Sequence, residues 1–334
     1  MRQIINIRTA LYFKDTYEIG GFNFAKRNYK YRDYDIIISS MHEKDKKMKV
    51  CLGTVIYKQS KNFFEDLIKS VDSQSDKDFD LLIVNDNYTM DELKEIGMIC
   101  KYGAPNKVAP SIAGKTVFVD LEPMHCTVAQ TRIEMIKSAK EKGYDLLIVS
   151  DADDTFASTR VAEYKKAYEL DKSYAFYYNE LVTDKGKTVL ENLPDEVADV
   201  RIISQSNFIG MSIAAINLNM IDEDFIDTLS EGDCTVFDWY FYSRLLMDIG
   251  KGKLVKNAAT VYRIHDNNTV GTSHNVEQEY QVKLIHYQNL AKRYPYFEYL
   301  YQKLKVLDIT KIDASQSHNG YWWSNIIMED SYEI

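Results

Sequence analysis

The chain lacks any long apolar run. No window approaches the ~20 apolar residues that a membrane-spanning helix needs. The first residues, MRQIINIRTALYFKDTYEIG, contain neither a long apolar stretch nor a small-residue cleavage site. These absences predict a cytoplasmic protein without a signal peptide or a membrane span. Peripheral contact with the inner face of a membrane is compatible with the same composition.

Cysteine and proline are also scarce, and the 50 acidic residues outnumber the 41 lysines and arginines. The four cysteines show no C-x-x-C spacing of a zinc or redox motif, so we expect four reduced thiols. There are only five prolines, and no flexible linker or internal repeat is evident. The net charge of -9 argues against non-specific nucleic-acid binding, which needs a basic surface, so no nucleic-acid partner is expected.

What is present is a globular composition with 45% hydrophobic residues. From Lys49 onward, short apolar runs that indicate buried strands alternate with amphipathic runs that indicate helices. Strands are predicted at 50–57, 79–87, 117–119, 144–154 and 174–178, and helices at 62–71, 128–142 and 159–170. Asn62 and Gly143 are the predicted caps of the first two helices. The β-α-β order implies parallel pairs with right-handed crossovers, and thus a doubly wound α/β sheet.

The two ends of the chain have different patterns. Residues 1–48 are interpreted as an N-terminal extension with one or two short strands and an apolar patch at 36–38. Residues 276–294 have the spacing of a long amphipathic helix that Pro295 ends or kinks, followed by a second helix to about residue 306. The predicted division is an extension at 1–48, a core at 49–275 and a helical region at 276–334 that packs on the core.

Acidic residues follow two of the predicted strands. The sequence Asn85-Asp86-Asn87 ends one strand, and Asp151-Ala152-Asp153-Asp154 ends another. In open α/β sheets, ligands bind beyond the carboxyl ends of the strands. Three carboxylates this close repel one another unless a cation neutralises them, and Mg²⁺ or Mn²⁺ prefers such oxygen ligands. The alternative is a solvated acidic turn or a helix N-cap.

These segments, taken in order, resemble a known family. After the strand ending in NDN come a helix with Arg132, the strand ending in DAD, then FDWYFYSRLL at 237–246 and YRIHDNN at 262–268. Over residues 49–270 this order resembles family-2 glycosyltransferases of the GT-A fold. The resemblance implies a nucleotide-diphospho-sugar transferase, Rossmann-like, with a mixed, mainly parallel sheet. It also implies an inverting, metal-assisted glycosyl transfer in polysaccharide biosynthesis.

The resemblance assigns roles to individual residues. It implies that Thr54, Val55 and Tyr57 contact the donor base, that Asp86 reads the base, and that Arg132 belongs to the same site. The DxD motif would place Asp151 and Ala152 near the ribose and Asp153 on a divalent Mn²⁺ or Mg²⁺. Two departures concern the base: TVIYKQ stands where the family has a proline-containing turn, and NDN stands where it has an acidic pair before Gly. A UDP-sugar donor is favoured, with a glycan or glycolipid acceptor.

The later motifs supply the remaining candidates. Asp238 is the predicted general base, because an inverting transfer needs a carboxylate that removes the acceptor hydroxyl proton; Asp233 competes for this role. His265 is a predicted metal ligand, and Arg263 is predicted to stabilise the diphosphate. The alternatives are that Asp238 only charges the first turn of its helix and that His265 lies on the surface or in the core. Trp239 is interpreted as a core residue rather than a sugar-stacking one.

Trp322 and Trp323 leave several interpretations open. With the helices after residue 276, they are compatible with an acceptor platform, a membrane-surface contact or a homo-oligomer interface. The interpretation we favour is that these helices cover the core.

Other enzyme classes also use paired aspartates. LLIVSDADDT fits the strand and DxDxT motif of haloacid-dehalogenase-like phosphatases, in which Asp151 would be a nucleophile and Asp153 an acid/base. That family normally opens its domain with this strand, whereas here two βα units precede it. A nucleotidyltransferase would use paired aspartates with Mg²⁺ but needs a Gly-rich basic loop, of which VCLGTVIYKQ has little. A degenerate sugar-nucleotide-binding protein is the non-enzymatic alternative.

Overall fold

The chain forms two units that divide after Met48. The computed structural model describes residues 16–19, 22–25, 47–95, 114–121, 126–231, 236–263, 275–313 and 320–332. In the first unit, β1 (Thr16–Ile19) and β2 (Phe22–Ala25) pair in antiparallel fashion, in line with the one or two strands predicted there. The apolar patch at 36–38 lies outside the described residues.

The second unit contains the remaining elements. Its strands are β3 (Val50–Tyr57), β4 (Asp80–Asp86), β5 (Thr116–Asp120), β6 (Leu146–Asp151), β7 (Thr155–Phe156), β8 (Phe176–Tyr178), β9 (Leu181–Thr183), β10 (Glu196–Val197), β11 (Ala214–Asn217), β12 (Gly252–Leu254) and β13 (Thr260–Tyr262). Its helices are α1 (Phe64–Asp72), α2 (Met90–Glu95), α3 (Val128–Glu141), α4 (Arg160–Leu170), α5 (Arg201–Ser204), α6 (Glu223–Asp227), α7 (Phe237–Asp248), α8 (Val276–Ala291) and α9 (Pro295–Lys305).

Eight strands form the central sheet in the order β10-β12-β8-β11-β6-β3-β4-β5. The four strands from β6 to β5 are mutually parallel, and β11 runs antiparallel between β6 and β8. The apolar runs that predicted the strands are buried in β3, β4 and β6, as strands covered on both faces require. The predicted fold class, a mixed and mainly parallel sheet flanked by helices, is confirmed.

Helix α3 begins as its sequence indicates. The Thr127 hydroxyl accepts from the Gln130 backbone N–H, and the Gln130 side chain accepts from the Thr127 N–H, which forms a capping box. At the other end, Gly143 has the positive φ of +71° that a residue after a helix needs. The prediction of Asn62 as the cap of α1 is wrong. Residues 58–60 form a 3-10 turn first, and the cap position falls on Phe63 without a side-chain hydrogen bond.

The helices after residue 275 are split at the predicted proline. Helix α8 ends at Ala291, three residues earlier than the apolar spacing predicted, and Pro295 begins α9 in the first turn, where its missing N–H costs nothing. Helix α8 packs against both α9 and α7.

The interior is unusually aromatic. Trp239 is fully buried, as predicted for a core residue, and its indole N–H donates to the Ile203 carbonyl at 2.6 Å.

Cys51 and Cys126, the two cysteines in the described ranges, are both free thiols. Among the residues that the structure describes, no helix is long and apolar enough to cross a membrane.

Candidate active site

The register of three parallel strands gathers the predicted site at one edge of the sheet. In this register Asp86 of β4 lies opposite Tyr57 of β3, and Asp151 of β6 lies opposite Val55. The carboxyl ends of these strands therefore bring the two acidic motifs together, although 64 residues or more separate them in the chain. This edge is where α/β sheets bind their ligands.

The predicted site residues on β3 differ in how far they are buried. Thr54 is fully buried and Val55 is almost so, whereas Tyr57 at the strand end is half-buried. Burial and the charges of Asp153 and Asp151 raise the pKa of the Tyr57 hydroxyl, which places that ring beside the acidic cluster. The predicted contacts of Thr54 and Val55 with a base stay predictions.

The NDN motif ends β4 in a tight turn. The Asn85 side chain bonds the Tyr88 backbone in both directions, at 2.8 and 3.1 Å, and Asn87 takes a left-handed φ of 69°. This turn leaves Asp86 half-exposed at the sheet edge, where partial burial raises the pKa of its carboxyl. Asn85 is therefore a structural residue, and the base-reading role of Asp86 stays a prediction.

Arg132 and Asp151 form an ion pair at the end of β6. The capping box at Thr127 fixes the first turn of α3 and so sets Arg132 one turn further on, over the strand end. The Arg132 side chain is 11% exposed, and its Nη1 is buried with no hydrogen-bond partner among the described residues. A buried donor without a partner is costly, so this group fits an anionic or polar ligand.

Asp151, Asp153 and Asp154 form a compact cluster. One carboxylate oxygen from each lies within 4.8 Å of the others. Burial is the main cause of the raised pKa of Asp151, and the charge of Asp153 adds to it against the opposing Arg132. Burial and the charge of Asp151 raise the pKa of Asp154 to about 8. Carboxylates that resist ionising together fit a hard divalent cation, whose charge would relieve the repulsion.

The three carboxylates differ in what they already contact. Asp154 is buried; one of its oxygens accepts from the Ser212 hydroxyl, and the other accepts from the Arg263 backbone N–H at 3.3 Å. Asp151 is engaged by Arg132. Asp153 is half-buried. Asp154 is thus turned inward, and the role of Asp153 as a metal ligand stays a prediction.

A fully buried arginine lies behind the cluster. Arg160, in the first turn of α4, donates to the Val149 and Ser212 carbonyls at 2.8 and 2.5 Å and to the Asn179 side chain at 3.3 Å. Burial lowers its pKa, and the charges of Asp154 and Asp151 oppose that shift. This cation partly offsets the acidic charge from the protein side.

Asp238 contributes a fourth carboxylate near the acidic cluster, from helix α7. It lies in the first turn of α7, is half-buried, and accepts the Trp239 backbone N–H at 2.7 Å. Burial raises the pKa of this carboxyl to about 7, and the charge of Asp151 adds to the effect, while Arg132 opposes it. Asp238 and the DxD cluster are therefore close enough to influence each other's ionisation.

Tyr242 stands one helical turn beyond Asp238 on the same face of α7. It is fully buried, and its hydroxyl has no hydrogen-bond partner in the described part of the chain. Burial and the neighbouring charge of Asp238 raise its pKa well above the usual range. Sequence reasoning missed Tyr242, although its i,i+4 spacing from Asp238 was the available signal.

The two residues predicted from YRIHDNN have different outcomes. Strand β13 pairs with β7 and β9 in a small sheet that brings Arg263 to the cluster, where its backbone N–H donates to Asp154. Its guanidinium bonds the Asp66 carboxylate at 2.9 Å and stacks on Phe63. His265 lies outside the described residues, as does Asp233.

Sequence reasoning also missed Arg160 and Ser212. An arginine among the apolar positions of α4 was a signal for a buried charge, since Val161, Tyr164 and Tyr168 share its buried surface. Ser212 had no signal, because only the fold brings the 3-10 turn at Met211–Ile213 against Asp154.

Comparison with known proteins identifies the fold. A structure of S. aureus TarS 1–349 in complex with UDP-GlcNAc is 13% identical, with 77% of this chain and 72% of that chain covered at a TM-score of 0.52. A further crystal structure of S. aureus TarS is 14% identical, with 73% and 40% covered at a TM-score of 0.50. The mannosyltransferase PcManGT from Pyrobaculum calidifontis, in complex with GDP-Man and Mn²⁺, is 10% identical, with 81% and 76% covered at a TM-score of 0.44. No family model and no curated protein matches the chain.

At such identities the likeness shows the fold and leaves the reaction to the residues of this chain. The chain has the mixed α/β GT-A fold that its sequence predicted. At the ligand-binding edge of its sheet it has a DxD-type acidic cluster, a paired arginine and a fourth carboxylate nearby.

Proposed function

We propose that this protein is a metal-assisted glycosyltransferase of the family-2 type that moves a sugar from a nucleoside diphosphate to an acceptor hydroxyl with inversion. The observation that carries the proposal is the acidic cluster with Arg132 at the carboxyl ends of β3, β4 and β6, with Asp238 close by. We favour a UDP-sugar donor, supported by the UDP-GlcNAc complex of the similar TarS structure, and a glycan or glycolipid acceptor.

Each residue of the site has a distinct part in this proposal. Asp153, with His265, would hold Mn²⁺ or Mg²⁺, which supplies positive charge to the departing diphosphate. Arg132 holds Asp151 and turns its unpartnered Nη1 to the nucleotide. Asp86 and Tyr57 border the base. Asp154 is fixed by Ser212 and keeps the cluster in place.

The transfer itself is a single displacement. The acceptor oxygen attacks C1 of the sugar while Asp238 takes the hydroxyl proton. The bond from C1 to the phosphate oxygen breaks, and its electron pair leaves with the nucleoside diphosphate. Attack opposite to the leaving group inverts C1. A pKa of about 7 makes the Asp238 carboxylate a stronger base than an ordinary aspartate, which suits proton removal near neutral pH.

The phosphatase interpretation gains no support from the strand order. It expects the aspartate-bearing strand to open its domain, whereas β3, β4 and β5 all precede β6 in the chain and belong to the same sheet. Asp151 is also held by Arg132, which suits a ligand-binding carboxylate better than a free nucleophile.

A thermal-shift screen tests the proposed function. UDP, GDP, CDP and dTDP are each added with Mn²⁺, Mg²⁺ or EDTA. A ligand present at about 100 times its dissociation constant adds ~2.7 kcal/mol of stability, which is readily visible. We expect one nucleotide to stabilise the protein and EDTA to remove the effect. Asp153→Ala is expected to lose the metal-dependent part, whereas the exposed Asp224→Ala keeps it. No shift with any nucleotide would contradict the proposal.

The pH profile of transfer provides a second test. Asp238 must be unprotonated to act as a base, and burial raises its pKa to about 7. At saturating donor and metal, the charge of the cation lowers this pKa from about 7 towards that of an ordinary aspartate. The rate is therefore expected to fall about tenfold per pH unit below the lowered pKa and to level off above it. Nucleotide binding is measured at each pH, because the pKa of the Asp154 carboxyl is also raised. A rate that stays constant down to about pH 4, the range of an ordinary aspartate, would remove Asp238 from the role.

A further inference from the structure

Three segments that are distant in sequence meet beside Asp238. A methyl group built on Gly210 would lie 3.4 Å from Cη2 of Trp322 and 3.7 Å from Oδ2 of Asp238. The outer edge of the Trp322 indole and the Asp238 carboxylate therefore border the same space above Gly210. A methyl group would fit there in ordinary van der Waals contact with both side chains, so the indole and the carboxylate lie within a few ångströms of each other.

Trp322 differs from the other two tryptophans of the chain. Trp239 is fully buried and Trp323 is 3% exposed, whereas Trp322 remains half-exposed. Part of the Trp322 side chain packs against the hydrophobic core, and the rest of its surface is exposed. That exposed part is available to another molecule.

The backbone of Trp322 is held firmly. Its N–H and C=O pair with Asn207 in two hydrogen bonds, both 2.9 Å long. Four residues on, the Glu279 carboxylate of α8 accepts the Ile326 and Asn325 N–H groups at 2.7 and 3.1 Å. Lys283, fully buried beside Glu279, donates to the Ile326 carbonyl.

The same helix also supports Asp238. His286 of α8 stacks on Trp239, the residue after Asp238, with ring centroids 4.1 Å apart and planes at 20°. Helix α8 thus holds the segment that carries Trp322 through one turn and the start of α7 through another. A rigid aromatic face and a carboxylate are fixed relative to each other, as binding sites require.

We propose that Trp322 forms the acceptor wall of the site and packs against the apolar face of a pyranose ring, so that the acceptor is a carbohydrate. One face of a pyranose is lined with C–H groups, and its rim has hydroxyls. An indole covers the C–H face with a large apolar surface, and the adjacent carboxylate accepts from a hydroxyl. This inference rests on the proposed function, since it takes Asp238 as the base that faces the acceptor.

Saturation-transfer NMR on the full chain tests the inference without knowledge of the natural acceptor. The probes are the methyl α- and β-glycosides of glucose, galactose, mannose and N-acetylglucosamine, with UDP and Mg²⁺ present. We expect at least one glycoside to bind the native protein. Trp322→Ala is expected to weaken that binding by about tenfold or more, as buried aromatic anchors usually do. Trp322→Phe should retain part of it.

A matched control lies next in the chain. Tyr321 packs on Phe208, with ring centroids 4.8 Å apart, and donates its hydroxyl to the Asn192 carbonyl. Tyr321→Phe is expected to bind the glycoside as the native protein does.

Tryptophan fluorescence of the native protein gives a readout that needs no variant. Trp322 is the most exposed of the three tryptophans. Glycoside binding should therefore change how strongly acrylamide quenches the tryptophan emission.

The outcomes separate the two proposals. Absence of glycoside binding to the native protein, or equal binding by Trp322→Ala, would overturn the role of Trp322. UDP signals in the same samples report on the donor site. If UDP binds and the native protein and Trp322→Ala bind the glycoside equally well, the role of Trp322 is refuted while the proposed glycosyltransferase function stands. Absence of UDP binding in every sample would count against the glycosyltransferase itself.

Discussion

Replacing Asp238 with Asn should reduce sugar transfer by about 10²- to 10⁴-fold, the usual contribution of a general base. Asparagine keeps the shape of the side chain and its contact with the Trp239 N–H, but it cannot take a proton at neutral pH. Nucleotide binding should be unchanged, because the acidic cluster and Arg132 remain. The measurement is the initial rate of transfer, with nucleotide affinity determined by calorimetry on the same preparations.

The control for this change is Asp224→Asn, an exposed carboxylate in α6. It alters the net charge equally and is expected to leave the rate within a factor of two of the native value, as a rough guide for a surface change. If Asp238→Asn retains full transfer, then the base is another residue, and Asp233 would be the next to test.

Replacing Glu279 with Ala should lower the free energy of unfolding by about 3–5 kcal/mol. Glu279 and Lys283 are both fully buried, with Nζ and Oε1 2.9 Å apart. Removing the carboxylate leaves the ammonium group without its partner in a low-dielectric interior, and two backbone N–H groups lose their acceptor. Urea unfolding, followed by circular dichroism, measures the loss.

A double variant separates the ion pair from general packing. In Glu279→Gln with Lys283→Met no charge is buried, and the amide oxygen can still accept from the Ile326 N–H. Replacing both members of a buried pair by neutral groups is often nearly neutral, so the double change should cost less than Glu279→Ala alone. If Glu279→Ala lowers the free energy of unfolding by no more than ~0.5 kcal/mol, then water reaches the pair. The hydrogen bonds from Glu279 to the backbone of residues 325–326 would then contribute little.

Much of the fold was predictable because its signals are local. The apolar runs in the strands predicted at 50–57 and 144–154 are short and continuous, which indicates strands buried on both faces. The structure has these strands at Val50–Tyr57 and Leu146–Asp151. Gly143 follows the end of α3 as predicted, and the capping box at Thr127, which was not predicted, is equally local. Asn62 failed as a cap because a 3-10 turn at 58–60, stabilised by Ser60 and Tyr57, displaced the start of α1.

The candidate site was predictable in part for a similar reason. Asp86 and Asp151 end apolar strands, and parallel strands that begin at one edge must end at the other, so their proximity followed from the pattern. Ser212 could not be found this way, because its place beside Asp154 depends on packing across the sheet and no sequence pattern indicates that partner. Tyr242 had a signal in its i,i+4 spacing from Asp238, and an acceptor platform was one of several interpretations of Trp322. Only the fold brings Trp322 beside Asp238.

The sequence by itself determined the α/β class, the strand ends that hold the carboxylates, and the burial of Trp239. These features follow from hydrophobic periodicity and from chemistry within a few residues. Only the tertiary structure decided that Ser212 and Arg263 hold Asp154 inward and that Arg132 engages Asp151. It also decided that Trp322 stands beside Asp238, although 84 residues separate the two in the chain. The buried Glu279–Lys283 pair holds the segment that carries Trp322. Long-range contacts of this kind depend on the summed packing of the whole core, which no local pattern encodes.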